Sequence, residues 1–451
     1  MTMRDVSGGA LSEQCARFLE DIAQEHRARA PKERIERVEA LIARHEVWRG
    51  SDCLNMNPAE GLVSKRVRAA LANDMAARLT EGEPGNKTFP HFKLNEIIDE
   101  IEGMIIAEAR TLFNARYVEW RPVSTSMANA AVFHALLRRG DQVFVQSMEA
   151  GGNFAYQSAG PLGLTGAEIV EIPAVGETFE VDLEWVRREA RLRRPKMIVI
   201  GGSKVLFPYR VAELRAIADE VDAYLVYDAA HLGLLIAGGV LANPLTDGAH
   251  VVTISTHKAM GGPVGGMVFT NDELVAKRVL SLTFPALMQT RDQNKYAALA
   301  IALAETAGFA SQLAGQMVVN AQALARELER LGFEVLGSES GYTRTHQLFL
   351  KLGQHAARFE RRCQEANIII PDCALTGDAA LKRRSGARVA THEVTRIGMG
   401  TAEMKHIAQL ISDAAQEARP LTAVLDDVLA LRRRFADVQY SFDARLCVAE
   451  P

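Results

Sequence analysis

Five short apolar segments constrain this chain more than any other feature. They are Gln142–Gln146, Glu168–Ile172, Met197–Gly201, Ala223–Tyr227 and His250–Ile254, with helical patterns between several of them. A strand that reads as a near-continuous apolar run is buried on both faces. Alternation of such strands with helices is the pattern of a mostly parallel sheet covered by helices, so the expected fold class is α/β. After about residue 310 the pattern changes to a helix over Gln316–Leu331, a strand pair around Phe333–Val335 and Gln347–Leu350, and further helices. That reads as a smaller α+β domain. Upstream, residues 11–48 read as a helical arm, and 93–113 as a long amphipathic helix with Ile97, Ile98, Ile101, Met104, Ile105 and Leu112 near one stripe. The expected organisation is an N-terminal arm over 1–50, a large domain over 51–315 and a small C-terminal domain over 316–451.

Composition narrows the function classes. The 451 residues are 48% hydrophobic and 24% charged, with a net charge of −4. A nucleic-acid partner would need a basic excess or stripe, and none is present. The five cysteines (Cys15, Cys53, Cys363, Cys373 and Cys447) form no CxxC pair and no metal-ligand spacing. An odd, scattered set reads as reduced thiols in a cytoplasmic enzyme, with no metal site. The first residues, MTMRDVSGGALSEQ, lack an apolar signal-peptide core, and no apolar run approaches the roughly 20 residues needed to span a bilayer. No membrane partner is expected.

Three local patterns could carry chemistry. A short apolar strand ends at Asp228, and His231 follows three residues later. An Asp in that place commonly caps the next helix, but in open α/β sheets ligands bind beyond the carboxyl ends of strands. A second apolar strand ends in Ser255-Thr-His257-Lys258 and runs into Gly261-Gly262-Pro-Val-Gly265-Gly266. A lysine at a strand end is ordinarily a solvated residue. Here it stands at the ligand edge, beside backbone free to approach a ligand closely, where a desolvated amine can act as a Schiff-base nucleophile. The third pattern is Ser124-Thr125-Ser126 at the start of an Ala-rich helix. Its plain reading is a helix cap with spare hydroxyls. Its functional reading is a phosphate cup, since a helix N-terminus offers free N–H groups and a positive dipole end. Pyridoxal 5′-phosphate (PLP) needs an anchored phosphate, an acid at its pyridine nitrogen and a lysine, and the three patterns supply all of them.

These residues resemble the serine hydroxymethyltransferase family of fold-type I PLP-dependent enzymes, from about residue 50 to about 400. Thr80-Glu81-Gly-Glu-Pro-Gly-Asn-Lys87 is similar to its glutamate loop, and Ser124-Thr125-Ser126-Met-Ala-Asn-Ala-Ala to its phosphate motif. Asp228-Ala-Ala-His231 and Ser255-Thr-His257-Lys258 resemble its Asp-x-x-His and lysine motifs, and Thr395-Arg396-Ile397-Gly398 its arginine motif. The resemblance implies that Lys258 carries the cofactor and Asp228 pairs with its pyridinium. His231 and Ser203 would support the phenolic oxygen, and Ser124, Thr125 and Ser126 would hold the phosphate. Ser255 and His257 would line the cofactor, and Gly262 to Gly266 would touch a phosphate across a dimer interface. Arg396 would take the substrate carboxylate, and Glu81 would handle the hydroxyl proton. A homodimer or homotetramer is implied, as are an amino-acid substrate and an aldehyde.

The chain also departs from the family. Asn153 stands where the family has a stacking His, Leu79, Glu83, Thr88 and Phe89 stand at loop positions that are usually aromatic, and Ala59-Glu60-Gly61-Leu62 replaces Ser-Glu-Asn-Tyr. Asn153 would face the cofactor with hydrogen bonds rather than a ring face. The expected activity is aldol or retro-aldol chemistry on a β-hydroxy-α-amino acid, of hydroxymethyl- or glycyl-transfer type and not strictly dependent on tetrahydrofolate. Gly341–Gln347 and Tyr440–Asp443 are similar to threonine transaldolases. Folate-dependent hydroxymethyl transfer, a transaminase or racemase reaction, and a non-catalytic binding role are the alternatives.

Overall fold

The computed structural model describes residues 13–378 and 384–445. The chain divides into two compact units, one ending at Cys53 and one beginning at Leu54. The first holds helices α1 (Glu13–Ala28) and α2 (Pro31–Val47), where the sequence reading expected a helical arm. Pro31 opens α2, where its missing N–H costs nothing, and Glu33 reaches back to the Ala30 backbone N–H at 2.8 Å.

The second unit is built on a seven-stranded sheet. Its strands are β1 (Tyr117–Glu119), β2 (Gln142–Gln146), β3 (Glu168–Ile172), β4 (Met197–Gly201), β5 (Tyr224–Asp228), β6 (Val251–Ser255) and β7 (Gly266–Thr270). The spatial order is β1-β7-β6-β5-β4-β2-β3, and only β7 runs antiparallel to its neighbours. Every residue of β4 and β6 is buried, as both faces are covered by helices. This is the α/β fold with a mostly parallel sheet that the alternating pattern implied. Two strands escaped that pattern. β1 has three residues, and β7 begins on a glycine that reads as loop.

Among the covering helices are α3 (Leu94–Phe113), α4 (Thr125–Leu136) and α5 (Gln293–Arg330). The 38-residue α5 extends well upstream of the helix expected over Gln316–Leu331 and passes through the position expected for a domain boundary. By length and composition it could cross a membrane, where the sequence reading expected no such segment, but 56% of its apolar window is buried inside the fold. Its apolar residues enter both main cores: Leu299, Leu303 and Leu313 pack with the large sheet, and Leu324 and Leu328 with the C-terminal layer.

That layer holds an antiparallel sheet of β8 (Glu334–Val335), β9 (Gln347–Lys351), β10 (Asp372–Cys373) and β11 (Gly386–Ala390), in the order β8-β9-β11-β10. Leu54 and Asn55 pair in parallel with Ile368 and Ile369, so the chain entering the second unit is tied into the same core.

Candidate active site

The carboxyl ends of β4, β5 and β6 lie side by side. Asp228 is the last residue of β5, in register with Gly201 of β4 on one side and Thr253 of β6 on the other. Gly201 has φ +113°, and a Cβ there would meet the Asp228 carbonyl oxygen at 2.1 Å, so the strands close up only over a glycine. Asp228 does not cap a helix. Its Oδ1 accepts from the Ala230 backbone N–H at 2.9 Å, and its Oδ2 accepts from Asn129 Nδ2 at 2.9 Å. Thr253 Oγ1 donates to Asn129 Oδ1 at 2.8 Å, which sets the orientation of the Asn129 amide. Burial pushes the Asp228 carboxyl up, while the Asn129 and Ala230 bonds and the Lys258 charge pull it back down.

Lys258 follows β6 and turns back to β5, with its Nζ 2.9 Å from His231 Nε2. Burial lowers its amine to about 8, against which the Asp228 charge acts. At neutral pH that leaves roughly a tenth of the amine uncharged, some hundreds of times more than at an ordinary lysine. Burial, and then the Lys258 charge, keep His231 far below the usual histidine range, so its imidazole is neutral and accepts from Lys258. His346 and His392, edge to face at 5.3 Å, act on His231 in the same direction. Ser255 Oγ lies 2.9 Å from His257 Nδ1, and burial drops His257 to about 4.

The lysine turn is packed from outside. A Cβ on Gly61 would stand 2.1 Å from the Lys258 carbonyl oxygen and 2.2 Å from that of His257. The Ala59–Leu62 departure is therefore matched to close backbone packing on the turn.

Ser124 caps α4, its Oγ accepting from the Met127 N–H at 3.2 Å. Thr125 Oγ1 beside it is buried with no hydrogen-bond partner, and Ser126 is exposed. Gly266 packs on this helix start, where a Cβ would meet the Ser124 carbonyl oxygen at 2.6 Å. The Gly262 N–H donates to the Thr256 carbonyl oxygen at 2.8 Å. Asn153 Nδ2 donates to Ser203 Oγ at 2.9 Å and its Oδ1 accepts from the Ala155 N–H at 2.9 Å. Its amide thus holds the Gly151–Tyr156 turn against Ser203.

The structure corrects the assignment of Arg396. Its Nη2 is 3.0 Å from Glu305 Oε2, and both side chains are buried at 5% and 2% exposure. A Cβ on Gly261 would touch the Arg396 Cζ at 2.9 Å, so this arginine supports the loop after Lys258 from beneath. A guanidinium spent on a buried carboxylate is not available to a substrate. Arg388, on β11, is the arginine at the site: its Nη1 donates to the Ser203 carbonyl oxygen at 2.9 Å, and its charge is among those depressing Lys258 and His231. No ion pair engages it among the described residues. Sequence reasoning missed it because an arginine in the middle of a five-residue strand reads as a solvated edge. Asn129 was missed inside an Ala-rich helix, although it sits three residues beyond the hydroxyl cluster. Glu81 opens the hairpin Gly82–Lys87, where its carbonyl oxygen accepts from the Thr88 N–H at 2.9 Å. No hydrogen bond or ion pair joins it to Lys258, His231 or Arg388 among the described residues.

The donor set suits PLP. A buried hydroxyl without a partner stands at a helix N-terminus, and a carboxylate is fixed by an amide. His231 Nδ1 is buried and without a partner, and a lysine is held partly neutral. Comparison with known proteins agrees. The family model for serine hydroxymethyltransferase matches residues 33–411. The chain is 34% identical over 415 residues to a serine hydroxymethyltransferase of Pyrobaculum aerophilum, covering 91% of this chain and 95% of that one. It is 36% identical over 396 residues to that of Archaeoglobus fulgidus, covering 87% and 90%. Among solved structures, the L-threonine transaldolase from Pseudomonas fluorescens in its internal aldimine state superposes with a TM-score of 0.84 at 24% identity, covering 95% of this chain and 96% of that one. The chain belongs to the serine hydroxymethyltransferase family and is a fold-type I enzyme that uses pyridoxal 5′-phosphate.

Proposed function

We propose that this enzyme breaks and makes the Cα–Cβ bond of a β-hydroxy-α-amino acid, releasing or accepting an aldehyde, without a strict need for tetrahydrofolate. The observation that carries the reading is the set Asp228, His231, Lys258 and Arg388 at one edge of the sheet, on a chain whose family is established. When bound, PLP supplies an electron sink for the pair left at Cα.

The protein's part is to choose the bond. Arg388 would hold the substrate carboxylate as a bidentate fork, keeping the bond to that carboxylate away from the direction in which electrons can leave Cα. Cα–H and Cα–Cβ remain. Removal of the β-hydroxyl proton then favours Cα–Cβ scission: the hydroxyl oxygen becomes the aldehyde oxygen, and the bonding pair stays on Cα. Glu81 is proposed to take that proton. Its hairpin has no bond to Lys258 among the described residues, which fits a site completed between two copies, and the Gly262–Gly266 loop would meet the same boundary. A homodimer or homotetramer follows from that reading. Asp228, oriented by Asn129, would hold the pyridine nitrogen protonated. Ser124, Thr125 and Ser126 would take the phosphate, with Thr125 Oγ1 the donor now lacking a partner. Ser203 and His231 would flank the phenolic oxygen, while Ser255, His257 and Asn153 shape the walls.

The case against strict folate dependence rests on Asn153 and the thinned aromatic loop. Leu79 is exposed, and Phe89 stacks on Phe92 at 5.3 Å. The relatives' names favour the second reading, folate-dependent hydroxymethyl transfer. Incubation with L-serine, L-threonine and 2-methylserine, each with and without tetrahydrofolate, separates the two. Glycine or alanine plus aldehyde should appear without folate. Product formed only with folate present would establish the second reading, and a 2-oxo acid as sole product would refute both.

A further inference from the structure

Lys204 follows Ser203 and is 7% exposed, yet no carboxylate pairs with it among the described residues. Its Nζ donates to the Ala374 carbonyl oxygen at 2.8 Å and lies 4.9 Å from the centre of the Phe179 ring. A carbonyl and a ring face soften a buried ammonium but do not neutralise it, and a buried charge without a counter-ion is costly.

The neighbouring acids are otherwise engaged. Asp378 Oδ2 accepts from the Leu375 N–H, the Ser385 N–H and the Ser385 hydroxyl, all within its own loop. Glu149 is exposed. Arg388, whose Nη1 bonds the carbonyl of Ser203, the residue just before Lys204, is a cation that acts on it. Lys204 and Arg388 both act on the thiol of Cys373, which lies on the strand beside that of Arg388. Asp228 acts on Lys258, and Asp378 and Glu149 act on Lys204, but none of these acids forms an ion pair with Lys204 or Arg388 among the described residues. Two cations without an ion pair among the described residues, Lys204 and Arg388, thus stand on either side of Ser203, one more than a single substrate carboxylate on Arg388 would engage.

We propose that Lys204 is a specificity-determining residue: it binds a second anionic group, carried by the aldehyde or by the side chain of the amino acid at the end remote from Arg388. The substrate class is then a β-hydroxy-α-amino acid, or its aldehyde, bearing an added carboxylate, phosphate or phosphonate. Three ammonium hydrogens, one of them used, leave two donors for such a group. This inference rests on the functional reading above for the role of Arg388.

Calorimetric titration of the holoenzyme with dianions and matched monoanions tests it. The probes are succinate against butyrate and glutarate against valerate, with inorganic phosphate and methylphosphonate as separate arms to distinguish the anion. At least one dianion or phosphorus anion should bind 10-fold or more tighter than its monoanionic counterpart, with acetate as the counterpart for phosphate and methylphosphonate. That preference should vanish in Lys204→Met and persist in Lys204→Arg. Equal affinity of every pair in the wild-type enzyme overturns the proposal without recourse to any variant. So does a preference that survives in a folded, cofactor-loaded Lys204→Met. The spectral response of the cofactor to glycine is read in the same wild-type samples. A normal glycine response with no anion preference removes the role of Lys204 and leaves the functional reading standing. No glycine response removes that reading as well.

Discussion

Arg388 and Arg396 differ in what surrounds them, so conservative changes at the two positions should have opposite consequences. Arg388→Lys keeps the charge and loses the planar fork. A charge-assisted pair of hydrogen bonds to a carboxylate is worth about 1.5–3 kcal/mol, so glycine and L-serine should bind roughly 10- to 150-fold more weakly. Thermal stability should change little, since Arg388 makes one hydrogen bond to the Ser203 carbonyl and no ion pair among the described residues. Arg396→Met leaves Glu305 buried at 2% exposure without its partner. Breaking a buried pair from one side costs about 3–5 kcal/mol. Burial already pushes the Glu305 carboxyl up, so it would take a proton and limit the loss to the lower end. The melting temperature should fall by several degrees, while the protein that remains folded binds glycine within a few-fold of the wild type. The assay is titration of cofactor absorbance with glycine and L-serine, beside a thermal melt of each variant. The assignment fails if Arg396→Met loses amino-acid affinity at unchanged melting temperature while Arg388→Lys retains it.

Other consequences follow from the same geometry. Asp228→Asn removes the charge that Asn129 orients, and turnover should fall by orders of magnitude while PLP stays bound; near-normal turnover would exclude its proposed role. Gly61→Ala places a methyl 2.1 Å from the Lys258 carbonyl oxygen, and backbone cannot yield as a flexible side chain does. Loss of at least about 1–3 kcal/mol of stability is expected in a urea melt, together with a changed cofactor spectrum. Lys258 also makes the cofactor-free protein pH-sensitive. Its folded-state amine is held at about 8, below the ordinary value of 10.5. Between those values the unfolded chain binds more protons, so stability rises with pH from about 8 to about 10.5. Lys258→Met should flatten part of that rise in urea midpoints, and an unchanged slope would show that the amine is not desolvated.

Much of this was legible in local pattern, for reasons tied to burial. The limits of β2 and β4 are legible because buried parallel strands are short apolar runs flanked by polar residues; those of β3, an edge strand buried only at Ile172, are legible from its alternation of Glu with Ile and Val. β5 and β6 were read one residue early. That shift puts Asp228 inside its strand, where it faces the site and is not free to cap a helix. What stayed hidden depended on contacts distant in sequence. Glu305 lies 91 residues before Arg396, and nothing near either residue announces their pairing. Arg388 reaches the site from the C-terminal layer, 185 residues beyond Ser203. A motif can bring an arginine to notice, but only the fold shows which guanidinium a buried carboxylate has already taken. Lys204 carries no local signal at all, since a lysine after a serine in a loop is ordinarily a solvated residue.

Two lysines among the described residues are held by burial at about 8, Lys204 and Lys258, and the account assigns the cofactor to one of them. Geometry makes the choice: Lys258 Nζ lies against His231 at the carboxyl edge of the sheet, whereas Lys204 Nζ points to the Ala374 carbonyl of the C-terminal layer. Reduction of the purified holoenzyme with borohydride, followed by peptide mapping, decides between them. The account predicts a stoichiometric pyridoxyl adduct on Lys258 and none on Lys204. An adduct on Lys204, or on any other lysine, would contradict it.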